Sequence, residues 1–247
     1  MSLLRLESVT KSFRRGPRNV SVLKGVSLEV KAGELVAVYG RRGAGKTTLL
    51  KIAAGFEAPE TGSVEFDGEN LNRPTPDQLA RLHRAHVGWV ERAGPRSPEL
   101  TMRLYVALPL YNRVSPREAH RRATAALTRV GAESCGERRW SDLSDAERML
   151  VAVAHALVRA PKLLIVDDPT AGLGIIDRER IVGLLRTAAE GGGLGVLMAV
   201  PDMPSMLHAH QVRSLSRGRL ISPTDRSPNR GDNVIEFSYG ERSAEGS

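Results

Sequence analysis

Leu35-Val36-Ala37-Val38-Tyr39-Gly40-Arg41-Arg42-Gly43-Ala44-Gly45-Lys46-Thr47-Thr48 is the stretch that decides the fold. Its first part is an unbroken apolar run, which reads as a buried strand. That strand runs straight into Gly40 to Thr47, which satisfies the pattern G-x-x-x-x-G-K-[ST] of a phosphate-binding loop. A helix is expected from Lys46 to Ala54, closed by Gly55. Glycines let successive backbone amides point into one concavity, and the helix adds the positive end of its dipole. Lys46 neutralises phosphate charge and Thr47 offers a hydroxyl to magnesium. The candidate ligand residues are therefore Gly40, Arg41, Arg42, Gly43, Ala44, Gly45, Lys46, Thr47 and Thr48, for a nucleoside triphosphate, ATP, with Mg2+. A chance glycine turn before a helix is the competing reading, and the strand and helix in their required order weigh against it. Arg41 and Arg42 either add charge to the site or point to solvent.

A loop of this kind also needs a carboxylate at the end of a neighbouring strand to hold the metal. Leu163-Leu164-Ile165-Val166-Asp167 supplies one, and Asp167 is the magnesium candidate. Working outward, Leu3 to Val9 and Val26 to Val30 read as strands, and Ser63 to Phe66 as another that turns at Asp67-Gly68. From about Thr75 to Val158 the chain is arginine-rich and helical, interrupted by the short strand Val87 to Val90. Ser115-Pro116-Arg117-Glu118 joins a capping box to proline at the first helical position, and Gly131 closes that helix. Beyond Asp167 a helix from about Arg178 to Glu190 and an apolar strand, Gly195 to Val200, complete an alternation that implies a parallel sheet with crossover helices.

The 247 residues suffice for one large α/β domain. The single cysteine, Cys135, excludes an internal disulfide framework, no secretory leader is evident, and a reducing, cytoplasmic compartment fits. No apolar run approaches the roughly 18 to 20 residues that span a bilayer. The net charge of +8 allows a nucleic-acid surface, attraction to anionic headgroups, or a habit of composition. Lysine stands only at 11, 24, 31, 46, 51 and 162, so every other basic residue is arginine, which favours composition. No cluster alternates arginine with exposed aromatics, so nucleic acid is disfavoured as a partner.

The loop, the strand ending in Asp167 and their spacing resemble the nucleotide-binding subunit of an ABC transporter over about residues 3 to 221, with most of the likeness in Val22 to Leu50 and Arg159 to Thr170. The order of motifs is most similar to the branch of lipoprotein-release and macrolide-export ATPases. The resemblance implies an α/β fold: a P-loop NTPase core with a mostly parallel sheet, an N-terminal antiparallel β subdomain and an inserted helical subdomain at about 92–158. The nucleotide-binding domain would cover 1–222, followed by a polar, disordered tail over 223–247. It further implies that Phe13 stacks on adenine, that the subunit works as a head-to-tail dimer with a second nucleotide-binding subunit, and that it sits on the inner face of the cell membrane through a transmembrane permease subunit.

Five positions depart from the family pattern. The family's Leu-Ser-Gly-Gly-Gln signature is Leu143-Ser144-Asp145-Ala146-Glu147 here, with side chains and carboxylates where backbone should approach the γ-phosphate. Ser144 retains the family serine, yet Ser144 and Glu147 also have the spacing of an ordinary capping box. Glu91 replaces a glutamine that senses magnesium and contacts the permease, and its carboxylate could still ligate the metal. Asp168 stands in for the catalytic glutamate, one methylene shorter. The loop Ala171-Gly172-Leu173-Gly174 ends in glycine where the family has aspartate, and Pro201 replaces the switch histidine. Together these imply that ATP binding is retained and hydrolysis impaired. Three readings stay open: a slow transporter energy subunit, a non-hydrolysing regulatory or structural ATP-binding module of a membrane complex, and a P-loop ATPase acting on nucleic acid.

Overall fold

The structure, a computed structural model, describes residues 2–90, 92–201, 206 and 208–221. The expected tail over 223–247 lies outside the described residues. The chain opens with a long hairpin of β1 (Ser2–Arg15) and β2 (Arg18–Lys31), turned at Gly16 with φ of 59°. Apolar side chains at Leu23, Val26, Leu28 and Val30 face inward, which is what a strand with one solvated face requires. Two further antiparallel strands, β4 (Thr61–Phe66) and β5 (Glu69–Asn70), complete a sheet in the order β2-β1-β4-β5.

The second sheet contains β3 (Leu35–Tyr39), β6 (Val87–Val90), β7 (Leu163–Asp167), β8 (Gly195–Val200), β9 (Gln211–Ser216) and β10 (Arg219–Ile221), in the order β10-β9-β3-β8-β7-β6. Only β10 runs antiparallel to its neighbour; the other pairings are parallel. Strand periodicity sorts the apolar runs onto two faces. Val36, Val38, Ile165 and Leu197 point toward the first sheet and toward α1 (Lys46–Ala53). Leu35, Ala37, Val166 and Met198 point toward a helical layer. Burial on both faces is why these strands read as continuous apolar runs instead of alternating ones.

The helices of that layer are α3 (Met102–Ala107), α4 (Pro116–Arg129), α5 (Asp145–Leu157) and α6 (Ile175–Glu190); the short α2 (Pro76–Arg81) precedes β6. Ser115 caps α4 through the Glu118 N–H at 3.4 Å. The reciprocal half of the expected capping box is replaced: Glu118 gives its carboxylate to Arg121 and Arg122, each at 2.7 Å, and those bonds pull its carboxyl down to about 2. Charge-assisted bonds one turn on outcompete a neutral backbone amide.

Between α3 and α5, His155 stacks on Tyr105 with ring centroids 4.3 Å apart and planes 6° apart. Burial pushes the imidazole down from 6.5 to about 4, and the nearby Arg159 charge adds to the effect. The folded state thus favours neutral His155, while an unfolded chain takes up the proton below about pH 6.5. Stability is expected to fall by at most about 3 kcal/mol as pH drops from 6.5 to 4. Urea titrations across that range should show the loss, and His155→Phe should flatten it. An unchanged pH profile in His155→Phe would assign the loss to other groups.

Candidate phosphate-binding site

Parallel pairing sets one edge of the sheet. Tyr39 is in register with Val200, and Asp167 with Ala199. The glycine loop after β3, Pro201 after β8 and Asp168 after β7 therefore leave the sheet side by side at the carboxyl ends of three adjacent strands, where open α/β sheets form their ligand crevices. β6 ends in register at the same edge, with Val90 opposite Val166. The residue that follows it, Glu91, lies outside the described residues.

Each glycine of the loop answers a specific constraint. A Cβ on Gly40 would lie 2.5 Å from the Leu215 carbonyl oxygen of β9. Gly45, at φ +103°, would bring a Cβ within 2.9 Å of Val22 Cγ1 on β2, and Gly43 needs φ +81°. Lys46 arches back over the loop and its ammonium donates to the carbonyls of Gly40 at 2.5 Å and Arg41 at 3.2 Å. The Leu49 N–H bonds the Gly45 carbonyl at 2.9 Å, so α1 begins directly on the loop. Ala44 donates its N–H to the Arg41 carbonyl, and Thr48 is half-buried in the first turn. Arg41 and Arg42 are exposed.

Thr47 Oγ1 donates to Asp167 Oδ2 at 2.7 Å. A hydroxyl and a carboxylate, both hard oxygen donors, meet beside the ammonium of Lys46 at a helix N-terminus. That donor set suits magnesium and the phosphates of a nucleotide.

Asp168 follows with φ +52°, an uncommon left-handed setting for a residue with a side chain. Its N–H continues the ladder to Ala199 at 2.9 Å. The loop beyond it is pinned by Arg92, whose guanidinium donates to the Ala171 carbonyl at 2.7 Å, and by Arg178, which bonds the Leu173 carbonyl at 2.7 Å. Gly174 ends the loop as the N-cap of α6. Pro201 is exposed at the end of β8 and carries no N–H.

Phe13 is 37 % exposed, so it is not a core phenylalanine. It pairs with Val20 on the strand whose Val22 touches the Gly45 position, and the Lys11 ammonium lies 5.4 Å above its ring. Ser144 lies elsewhere, at the start of α5. There it forms a complete capping box: its hydroxyl accepts from the Glu147 N–H at 3.2 Å, and its own N–H donates to Glu147 Oε2 at 2.8 Å. Arg138 holds the second Glu147 oxygen at 2.5 Å. Asp145 is exposed beside this cap.

Sequence reasoning missed Arg92 and Leu215. The only signal for Leu215 was the obligatory Gly40 itself, and backbone carbonyls that accept from an arginine leave none. A separate open cleft of about 370 Å³ lies between the end of α1, β6 and the helical layer, lined in part by Phe56, His83, Trp89, Tyr105, His155 and Arg159.

The ABC transporter family matches residues 23–171. Over 219 residues the chain is 36% identical to a lipoprotein-releasing system ATP-binding protein, LolD, of Chromohalobacter salexigens, covering 88% of this chain and 92% of that one. It is 32% identical over 221 residues to the macrolide export ATP-binding/permease protein MacB of Escherichia coli, covering 89% of this chain but 34% of that longer protein. Among solved structures, the dimeric ABC transporter cassette MJ0796 aligns with a TM-score of 0.81 at 29% identity, over 93% of this chain and all of that one. The same cassette as a dimer with ADP and Pi aligns with a TM-score of 0.80. With a phosphate loop, a carboxylate-tipped neighbouring strand and this architecture, the chain belongs to the ABC transporter ATP-binding family, whose domain binds ATP with Mg2+.

Proposed function

We propose that this chain is the ATP-binding subunit of a transporter complex that holds Mg-ATP and couples its nucleotide state to a transmembrane permease, while hydrolysing it weakly or not at all. The observation that carries the binding half is the 2.7 Å bond between Thr47 and Asp167 at the foot of the glycine loop, which Lys46 closes on the Gly40 carbonyl. The nucleotide-binding domain covers 1–222, with its helical subdomain at about 92–158. Thr47 and Asp167 hold the metal, with Glu91 a further metal ligand, and the amides from Gly40 to Thr48 and the Lys46 ammonium hold the phosphates. Phe13 stacks on the base. Bound magnesium and ATP supply the phosphoanhydride and the charge that screens it.

Everything downstream of binding is weaker. A general base must reach within hydrogen-bond distance of its water, and rate falls steeply with misplacement. Asp168 is one methylene short, and its backbone is fixed by Ala199. Pro201, beside the loop, offers neither imidazole nor N–H. In a head-to-tail dimer with a second copy or a related cassette, the exposed start of α5 faces the partner's phosphate loop. Ser144 brings a hydroxyl there, while Asp145 brings bulk and negative charge where phosphate would lie.

Among the described residues no helix is long and apolar enough to cross a membrane. The relative named as an ATP-binding/permease protein supports a membrane-spanning partner, with this subunit peripheral on the cytoplasmic face. The aromatic cleft, with Phe56 51 % exposed, is the surface offered to that partner. A non-hydrolysing regulatory or structural ATP-binding module of a membrane complex is the second reading, favoured by Pro201 and Asp168 occurring on one chain; there ATP is a bound ligand that drives no transport.

Turnover of the parent is expected well below about 1 per second. Asp168→Glu with Pro201→His should raise phosphate release at least about tenfold, and Lys46→Ala should abolish ATP binding. A rise seen only with Asp145→Gly and Ala146→Gly would place the defect in the signature segment instead. For the partner, purification from membranes should recover a multi-span protein. Phe56→Asp should lose that protein while still binding ATP; undiminished recovery would rule out the cleft.

A further inference from the structure

Arg92 stands two residues beyond β6, at the start of the segment that leads into the helical layer, and its guanidinium reaches back to the loop after β7. Nη1 donates to the Ala171 carbonyl at 2.7 Å and lies 3.5 Å from the Asp168 carbonyl. Both acceptors are main-chain atoms, so Arg92 fixes where the loop runs. A non-glycine residue at φ +52° persists only when its surroundings over-determine it. Ala199 accepts the Asp168 N–H from the sheet side, and Arg92 grips the loop from the other.

Two residues further on, Gly94 lies flat against Trp140. A Cβ there would come within 2.6 Å of three ring atoms, so only glycine allows this approach. Trp140 belongs to the helical layer. It meets Tyr105 edge-on at 6.2 Å, lies 6.0 Å from the Arg148 guanidinium, and accepts Arg148 Nε through its carbonyl at 3.1 Å. Arg148 is in α5, the helix that Ser144 caps. The segment 92–94 is thus attached at one end to the Asp168 loop and at the other to the ring preceding α5.

We propose that Arg92 is a positioning residue that latches the loop Asp168–Ala171 to the helical layer, with 92–94 as a strap anchored on Trp140. Its consequence for ATP rests on the function proposed above; the latch itself does not, and its test uses nucleotide-free protein.

Hydrogen–deuterium exchange on the full chain reads the latch directly. Arg92→Ala should speed exchange across 168–174 at least about threefold, while 40–47 and the melting midpoint stay as in the parent. Arg92→Lys, keeping a donor, should recover part of the protection. Gly94→Ala should also speed exchange in 168–174, and Trp140→Phe repeats the test should Gly94→Ala fold poorly. Neither should add to the effect in an Arg92→Ala background. Parental exchange at 168–174 in Arg92→Ala would overturn the latch, and fully additive effects would overturn the strap.

Discussion

The bond between Thr47 and Asp167 joins residues that lie far apart in the chain at 2.7 Å, and it sets a demand the whole sheet must meet. One partner stands in the first turn of α1, the other at the tip of β7, and β8 lies between their strands. They meet only because β3, β8 and β7 pair in parallel and in register, Tyr39 with Val200 and Ala199 with Asp167. A slip of one residue would turn Asp167 to the other face and exchange the side chains that β7 packs into the two cores, Leu163 and Ile165 on one and Leu164 and Val166 on the other. Burial of that set on both faces therefore fixes the site as firmly as it fixes the fold. The close approach of Leu215 to Gly40 and of Val22 to Gly45 then presses the loop from two neighbouring strands, so its shape is imposed from outside as well as by its glycines.

Much of this was legible in the sequence for a physical reason: strands buried on both faces leave continuous apolar runs, and a phosphate loop leaves glycines at fixed spacing. β3, β7 and β8 sit where those runs are, and the capping box of Ser144 and Glu147 was readable because it is local. The hairpin is longer than its apolar pattern. β1 and β2 extend over Ser2–Arg15 and Arg18–Lys31, well beyond the apolar cores Leu3 to Val9 and Val26 to Val30, because their distal halves are held by backbone pairing with polar side chains outward. β9 and β10 left almost no pattern, since most of their residues are only partly buried or exposed. Arg92 could not be found in advance, because its acceptors are carbonyls that any residue would supply.

Binding and cleavage of ATP make different demands on this architecture. Binding uses amides, an ammonium and a metal pair that are built into the sheet edge, and these are intact in the chain. On the function proposed above, cleavage depends on single side chains at the ends of neighbouring strands and on a second subunit, and Asp168, Pro201 and the signature segment are the positions proposed to weaken it. On that proposal the weakened positions fall on both halves of the composite site a head-to-tail dimer would form, so pairing with an identical copy would compound them.

The most direct test is to titrate the full chain with Mg-ATP and identify the nucleotide recovered from the complex after prolonged incubation. Saturable binding is expected, with ATP recovered intact. No binding, or ADP formed at about one turnover per second or faster, would contradict it.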